Sequence, residues 1–212
     1  MNISSQPHLF WGRTSPLTAL TGGALIIMAS GRLAFALVTA GAILWVSNIS
    51  VLLFQALGKR FFPQRGKRFV QTFLASFIAG LYLLVLWLLS PITALELFFI
   101  ISLVPLFCVS CGIFQRIESL GISEAVSRAF AEAAVLGALI IIFAIIREPL
   151  GYFSLSLPGG SQGIITLFSF ETETFLPIRI IASSGGALLL LGYNMGLYRY
   201  FKKINAPRED DQ

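Results

Sequence analysis

Pro105-Leu106-Phe107-Cys108-Val109-Ser110-Cys111-Gly112 is the stretch on which the reading of the fold turns. It lies inside a long apolar run, carries both cysteines of the chain, and opens on a residue with no backbone N–H. Cys108 and Cys111 stand at i and i+3, which places them on one side of a helix. If Pro105 and Gly112 loosen that helix, freed backbone groups result. At membrane depth these are tolerated only when buried in protein or lining a cavity. Two readings of the thiols stay open. Free cysteines pack as small buried hydrophobes, or they ligate an iron–sulfur cluster, which needs four ligands and so a second subunit.

The rest of the chain sets this segment in a membrane. Of 212 residues 56% are hydrophobic and 12% charged, about half the charge of an ordinary soluble domain. Two cysteines make no disulfide framework, and no cleavable leader precedes the first apolar stretch. Runs long enough to span, about 20 apolar residues, occur at Leu33 to Leu57, Phe69 to Leu89, Ala94 to Phe114, Ala129 to Ile146 and Ile180 to Leu197. Pro16 to Ser30 is a shorter sixth, rich in Gly, Thr and Ala.

Charge gives the orientation. With the N-terminus inside, the inner segments hold Arg13, Lys59, Arg60, Arg65, Lys67, Arg68, Arg116, Arg128, Arg199, Lys202, Lys203 and Arg208. Only Arg32, Arg147 and Arg179 fall outside. This bias predicts a multi-pass protein with both termini inside. The net charge of +5 is thereby a topology signal and not a nucleic-acid footprint.

The expected fold is all-α: six transmembrane helices in one membrane domain, residues 1–204, with a disordered cytoplasmic tail at 205–212. Pro16-Leu17-Thr18-Ala19-Leu20-Thr21-Gly22 faintly echoes the stretch at Pro105. Each begins a three-span half, about 9–90 and 91–201, so the second half is inverted, with the first and fourth helices broken. The long connection from Arg147 to Pro177 is expected to carry a short surface helix at Ile164 to Phe168.

Other polar residues within or beside the spans invite weighing. Glu132 is either a functional intramembrane carboxylate or the ion-pair partner of Arg128, four residues earlier. Arg147, before Glu148-Pro149 at the end of the fifth span, reads as a snorkelling, capping arginine. Asn48 and Asn194 read as interhelical glue, and Glu96 as solvated. His8, the single histidine, lies outside the spans, and no nucleotide-binding or nucleophile-elbow motif is present.

Several of these residues resemble one family, the Rnf/Nqr small membrane subunits. The E-type Rnf or D-type Nqr subunit of ion-translocating ferredoxin:NAD and NADH:quinone oxidoreductases shares the orientation. Pro105 to Cys111 is similar to its P-L-I-x-T-N-C segment, and Arg116 and Glu118 fall at the offsets of its R-x-E. Arg147-Glu148 with Gly151 resembles its R-E…G, and Gly186-Ala187 with Leu191-Gly192 its P-G-A-x-x-x-L-G. Asn48 also has a counterpart there.

The resemblance implies a bacterial inner-membrane subunit, relaying electrons and not itself turning over substrate. Its partners would be a paralogous inverted six-span subunit and the other subunits of a membrane redox complex. A [2Fe-2S] cluster would be shared with the paralogue, ligated here by Cys111 and by Cys108 if that thiol substitutes for a missing one. Thr21 stands where the family has its first-span cysteine, and hydroxyl is a poorer iron ligand than thiolate. Two alternatives follow from that departure. One is a small-solute transporter with its site around Thr21 and Ser110; the other is a scaffold subunit without the cofactor.

Overall fold

The computed structural model describes residues 20–61, 66–110, 113–114, 120–160, 163–169 and 179–205. The described chain is mostly helical, in the order α1 (Leu20–Ala29), α2 (Leu33–Phe61), α3 (Lys67–Leu89), α4 (Pro91–Ser110), α5 (Ile122–Tyr152), β1 (Ser154–Pro158), β2 (Ile164–Ser169), α6 (Arg179–Ala182) and α7 (Ser184–Asn205). Four of these, α2 to α5, are long and apolar enough to cross a membrane. They match four of the six expected runs.

The other two expected spans are described only in part. α1 is described over Leu20–Ala29, and the residues before it lie outside the described ones. The last span is interrupted: α6, described from Arg179, ends at Ala182, Ser183 bends, and α7 starts at Ser184. Ser183 caps the new helix, its hydroxyl accepting from the Gly186 N–H at 3.2 Å, the N-cap to N3 bond expected of serine. Nor does Pro105 end α4, which stays helical to Ser110 with the proline inside it. The Ser110 hydroxyl donates back to the Leu106 carbonyl. Residues 111–112, where a break would follow, lie outside the described residues, as does the N-terminal echo before Leu20.

The long helices pack by small residues and shared polar atoms. α3 and α4 meet at Ser90-Pro91, serine as cap and proline at the first helical position. The Ser90 and Thr93 hydroxyls are hydrogen-bonded at 2.7 Å. α2 and α3 are joined across their faces by Tyr82, whose hydroxyl donates to the Val38 carbonyl at 2.9 Å. α2 and α5 form the largest contact of the fold and run antiparallel. The start of α2 at Leu33 meets Glu148 near the end of α5. Further back on α5, a Cβ on Gly137 would come within 3.1 Å of the Ala40 Cβ. The core between the helices holds Ile43, Val46, Leu97, Ile101, Phe107, Leu136 and Ile140. Outward, α3 and α4 present Phe69, Phe73, Phe77, Leu84, Leu88, Leu95, Phe98 and Phe99, an apolar face that soluble monomers rarely expose.

The connection after α5 corrects an expectation. Ile164 to Phe168 is not a surface helix but β2, paired antiparallel with β1 from Ser154↔Ser169 to Pro158↔Ile164. The turn uses glycines at positive φ, Gly160 at 60° and Gly163 at 80°, a conformation that costs a residue without Cβ little. Pairing satisfies backbone groups that a five-residue helix would leave open. α5 also runs past Pro149 to Tyr152 and closes on Phe153 in the left-handed region, its N–H donating to the Pro149 carbonyl at 3.0 Å.

Candidate functional site

Cys108 lies on the inner side of α4, 1% exposed, and its sulfur shares a hydrogen bond with the Ser47 hydroxyl of α2 at 3.4 Å. One turn along α2, the Ser50 hydroxyl is fully buried without a hydrogen-bond partner, as is the Thr39 hydroxyl. Thr21 falls in the first turns of α1, a helix that packs on α4. Cys111, Arg116 and Glu118 lie outside the described residues. Among the described residues no group of three His, Cys, Asp or Glu side chains could hold a metal ion. Cys108 is enclosed by α2 and α4 of its own chain. Its surroundings are those of a packing cysteine.

The remaining candidates divide. Glu132 is buried on the inner face of α5, and its carboxylate stands 3.7 Å from the Arg128 Nε. It is therefore both enclosed and ion-paired. Asn48 donates its amide to the Leu44 carbonyl of its own helix at 2.8 Å, so the bond is intrahelical and not the expected glue between helices. Its Oδ1 is buried without a partner. Glu96 is exposed on α4. The side chain of Asn194 and all of His8 lie outside the described residues.

The densest polar site is Arg147-Glu148. Arg147 is not a snorkelling side chain at an interface: it is 2% exposed, and Glu148 is 1% exposed. The guanidinium faces the C-terminal ends of α1 and α6. Nη1 donates to the Ile27 carbonyl at 2.9 Å and the Ser30 hydroxyl at 2.7 Å, at the end of α1. Nε donates to the Ile181 carbonyl and Nη2 to the Ser183 carbonyl, each at 3.1 Å, where α6 gives way to α7. The Ile27 and Ile181 carbonyls lie where intrahelical donors run out, so they need a donor from elsewhere; the Ser183 carbonyl also accepts from the Ala187 N–H at 3.1 Å.

Glu148 faces the opposite kind of terminus. Its Oε2 accepts from the Leu33 N–H at 2.7 Å, the first residue of α2. The next N–H, of Ala34, donates to the Ser156 hydroxyl at 3.4 Å. A bulge between Leu155 and Ser156 interrupts the β1 register beside that serine. α2 has Arg32 at its cap position, not a Ser, Thr, Asp or Asn that could serve as its own cap. Consecutive residues thus set a cation against helix C-termini and an anion against a helix N-terminus, the favourable sense for both.

Sequence reading missed Ser30, Ser156 and Ser183 as partners here, and the cap role of Glu148. Two signals were present. α2 lacks a local cap, and Ser183-Ser184-Gly185-Gly186 puts four poor helix formers near the start of the run Ile180 to Leu197.

The Glu148 bond carries a prediction. Glu148→Ala should cost about 2 kcal/mol, the worth of a charge-assisted hydrogen bond. Glu148→Gln, which keeps an acceptor, should lose only about half of that. Thermal unfolding of the two variants in lipid nanodiscs measures the difference; equal losses would remove the cap from the account.

No protein-family model matches the chain, and a search of curated proteins returns no relative. The residues and their geometry therefore carry the functional reading.

Proposed function

We propose that this chain is a membrane subunit of an Rnf/Nqr-like ion-translocating electron-transport complex, seated in a bacterial inner membrane with both termini inside. The observation that carries the reading is the place of Arg147-Glu148. The more specific of the resemblances away from the cysteines falls where interrupted helices meet. Interrupted helices recur in membrane proteins built from inverted repeats. The antiparallel α2–α5 pair supports such an inversion, because the two are the middle helices of the two halves, 9–90 and 91–201. The six-span count also rests on this reading, with α1 and the α6–α7 pair as interrupted crossings.

In this reading Cys111 is the chain's ligand to a [2Fe-2S] cluster shared with a paralogous six-span subunit, and Cys108 is a packing residue. Such a cluster supplies one-electron relay. What this chain's residues do around it is hold the helices: Ser47 orients the Cys108 thiol, and Arg147 ties α1 to α6 and α7.

The test is iron. The complex, purified from its native membrane with its partners, should contain iron and a reducible visible chromophore, both lowered in Cys111→Ala and retained in Cys108→Ala. Iron unchanged by Cys111→Ala would overturn the relay. An intact complex whose iron sits wholly in other subunits would favour the scaffold reading, for which Thr21 at the family's cysteine position is the motive. A solute gradient built by the reconstituted chain alone would favour the transporter.

A further inference from the structure

We propose that the oxygens at the ends of α1 and α6, with Ser183 between α6 and α7, form a cation site whose resident occupant is the Arg147 side chain. When emptied, the site takes a free guanidinium-type cation. This proposal does not depend on the redox reading.

The site has four acceptors, the Ile27, Ile181 and Ser183 carbonyls and the Ser30 hydroxyl, drawn from separate segments of the chain and all within 2.7 to 3.1 Å of the guanidinium nitrogens. Every nitrogen of the group is used. The Ile27 and Ile181 carbonyls belong to helix C-terminal ends, where orphan oxygens concentrate partial negative charge, while the Ser183 carbonyl also accepts from the Ala187 N–H. Unwound carbonyls and helix C-terminal ends are also what coordinate cations in membrane transporters with discontinuous helices.

The shape of the site decides which cation fits. The four oxygens are distributed around three nitrogens of a planar fork, not gathered around one centre. A planar cation with several donors matches that arrangement, whereas an alkali ion, which needs its ligands around a single point, does not. An ammonium is a compact point charge and matches only in part. The occupant's tether explains why the protein carries a buried arginine so close to the end of α5. Neither residues 27–30 nor residues 181–183 include a cationic residue of their own.

Chemical rescue tests this. Arg147→Ala, synthesised cell-free into lipid nanodiscs, should give a several-fold lower yield of protease-resistant protein than wild type. It should also unfold at a lower temperature. Methylguanidinium at millimolar concentration should raise both, and methylurea, its neutral planar counterpart, should not. Potassium at the same ionic strength should not either. Wild type and Arg147→Lys should be insensitive to methylguanidinium, because their sites are filled, with Arg147→Lys unfolding between the other two. The proposal is overturned if methylguanidinium rescues neither yield nor unfolding temperature. Equal action of methylurea, or an equal shift in wild type, would overturn it too.

Discussion

Gly186→Ala should unfold in lipid nanodiscs well below the wild-type temperature, with a loss of about 3 kcal/mol or more, although it adds one methyl group. The reason is the path of the chain through the last interrupted helix. After α6 the backbone turns at Ser183 and α7 passes so close that a Cβ on Gly186 would lie 2.6 Å from the Ile181 Cα and 2.8 Å from the Ile180 carbonyl carbon. It would also overlap the Ile180 carbonyl oxygen. Overpacking a well-filled interior costs about 1–3 kcal/mol when side chains can yield. Here the obstacle is backbone, and the backbone is pinned on both sides. The Ser183 hydroxyl donates to the Ile180 carbonyl at 2.6 Å and accepts from the Gly186 N–H. The Ile181 and Ser183 carbonyls are held by Arg147. Relief of the clash therefore has to break the turn or the Arg147 contacts.

Gly192→Ala is the matched control. Nothing lies within 4 Å of a Cβ there, and alanine is favoured over glycine inside a helix by about 0.5–1 kcal/mol. That variant should be neutral or slightly more stable. Equal losses at the two positions would mean that helix propensity, and not close approach, decides the result at Gly186.

What the sequence made legible follows from the range of the forces involved. The four long helices could be read because a span announces itself in composition alone. Leu33–Phe61 and Lys67–Leu89 begin within two residues of the apolar runs that predicted them. The strand at Ile164 to Ser169 was misread because a run of six residues with Ile, Thr, Leu and Phe is ambiguous between strand and helix. Its partner, Ser154 to Pro158, is what settles the matter. Arg147 was misread for a related reason. Near the end of an apolar run an arginine ordinarily reaches for water. The acceptors that keep this one inside come from positions 34 and more residues away in sequence, up to 120 for Ile27. Local pattern carries no trace of them. Cys108 lies on a buried helix face, and its contact with Ser47, 61 residues distant, depends on the packing of α2 against α4, which the sequence does not show.

Arg147→Met should be the most costly single change in the protein, about 3–5 kcal/mol, the range for removing one side of a buried charged interaction. Methionine nearly conserves the volume of the arginine stem and adapts to irregular space, so lost packing contributes little. What disappears is the donor set. Three carbonyls and the Ser30 hydroxyl lose a charged partner at once. A hydrogen bond to a charged group is worth about 1.5–3 kcal/mol, and desolvating the guanidinium takes back part of that sum. The net is large because the Ile27 and Ile181 carbonyls lose their charged donor, whereas the Ser183 carbonyl keeps the Ala187 N–H. A cycle with Ser30→Ala separates these contributions. If Ser30 acts mainly as an acceptor for Arg147, the single variants should be coupled by about 1–2 kcal/mol, within the range for directly bonded neighbours. Ser30→Ala should then be nearly silent in the Arg147→Met background. The opposite result is well defined, since replacing a buried charge by an apolar residue of similar volume is sometimes neutral or stabilising. An Arg147→Met protein as stable as wild type would show that the ends of α1 and α6 need no cation between them.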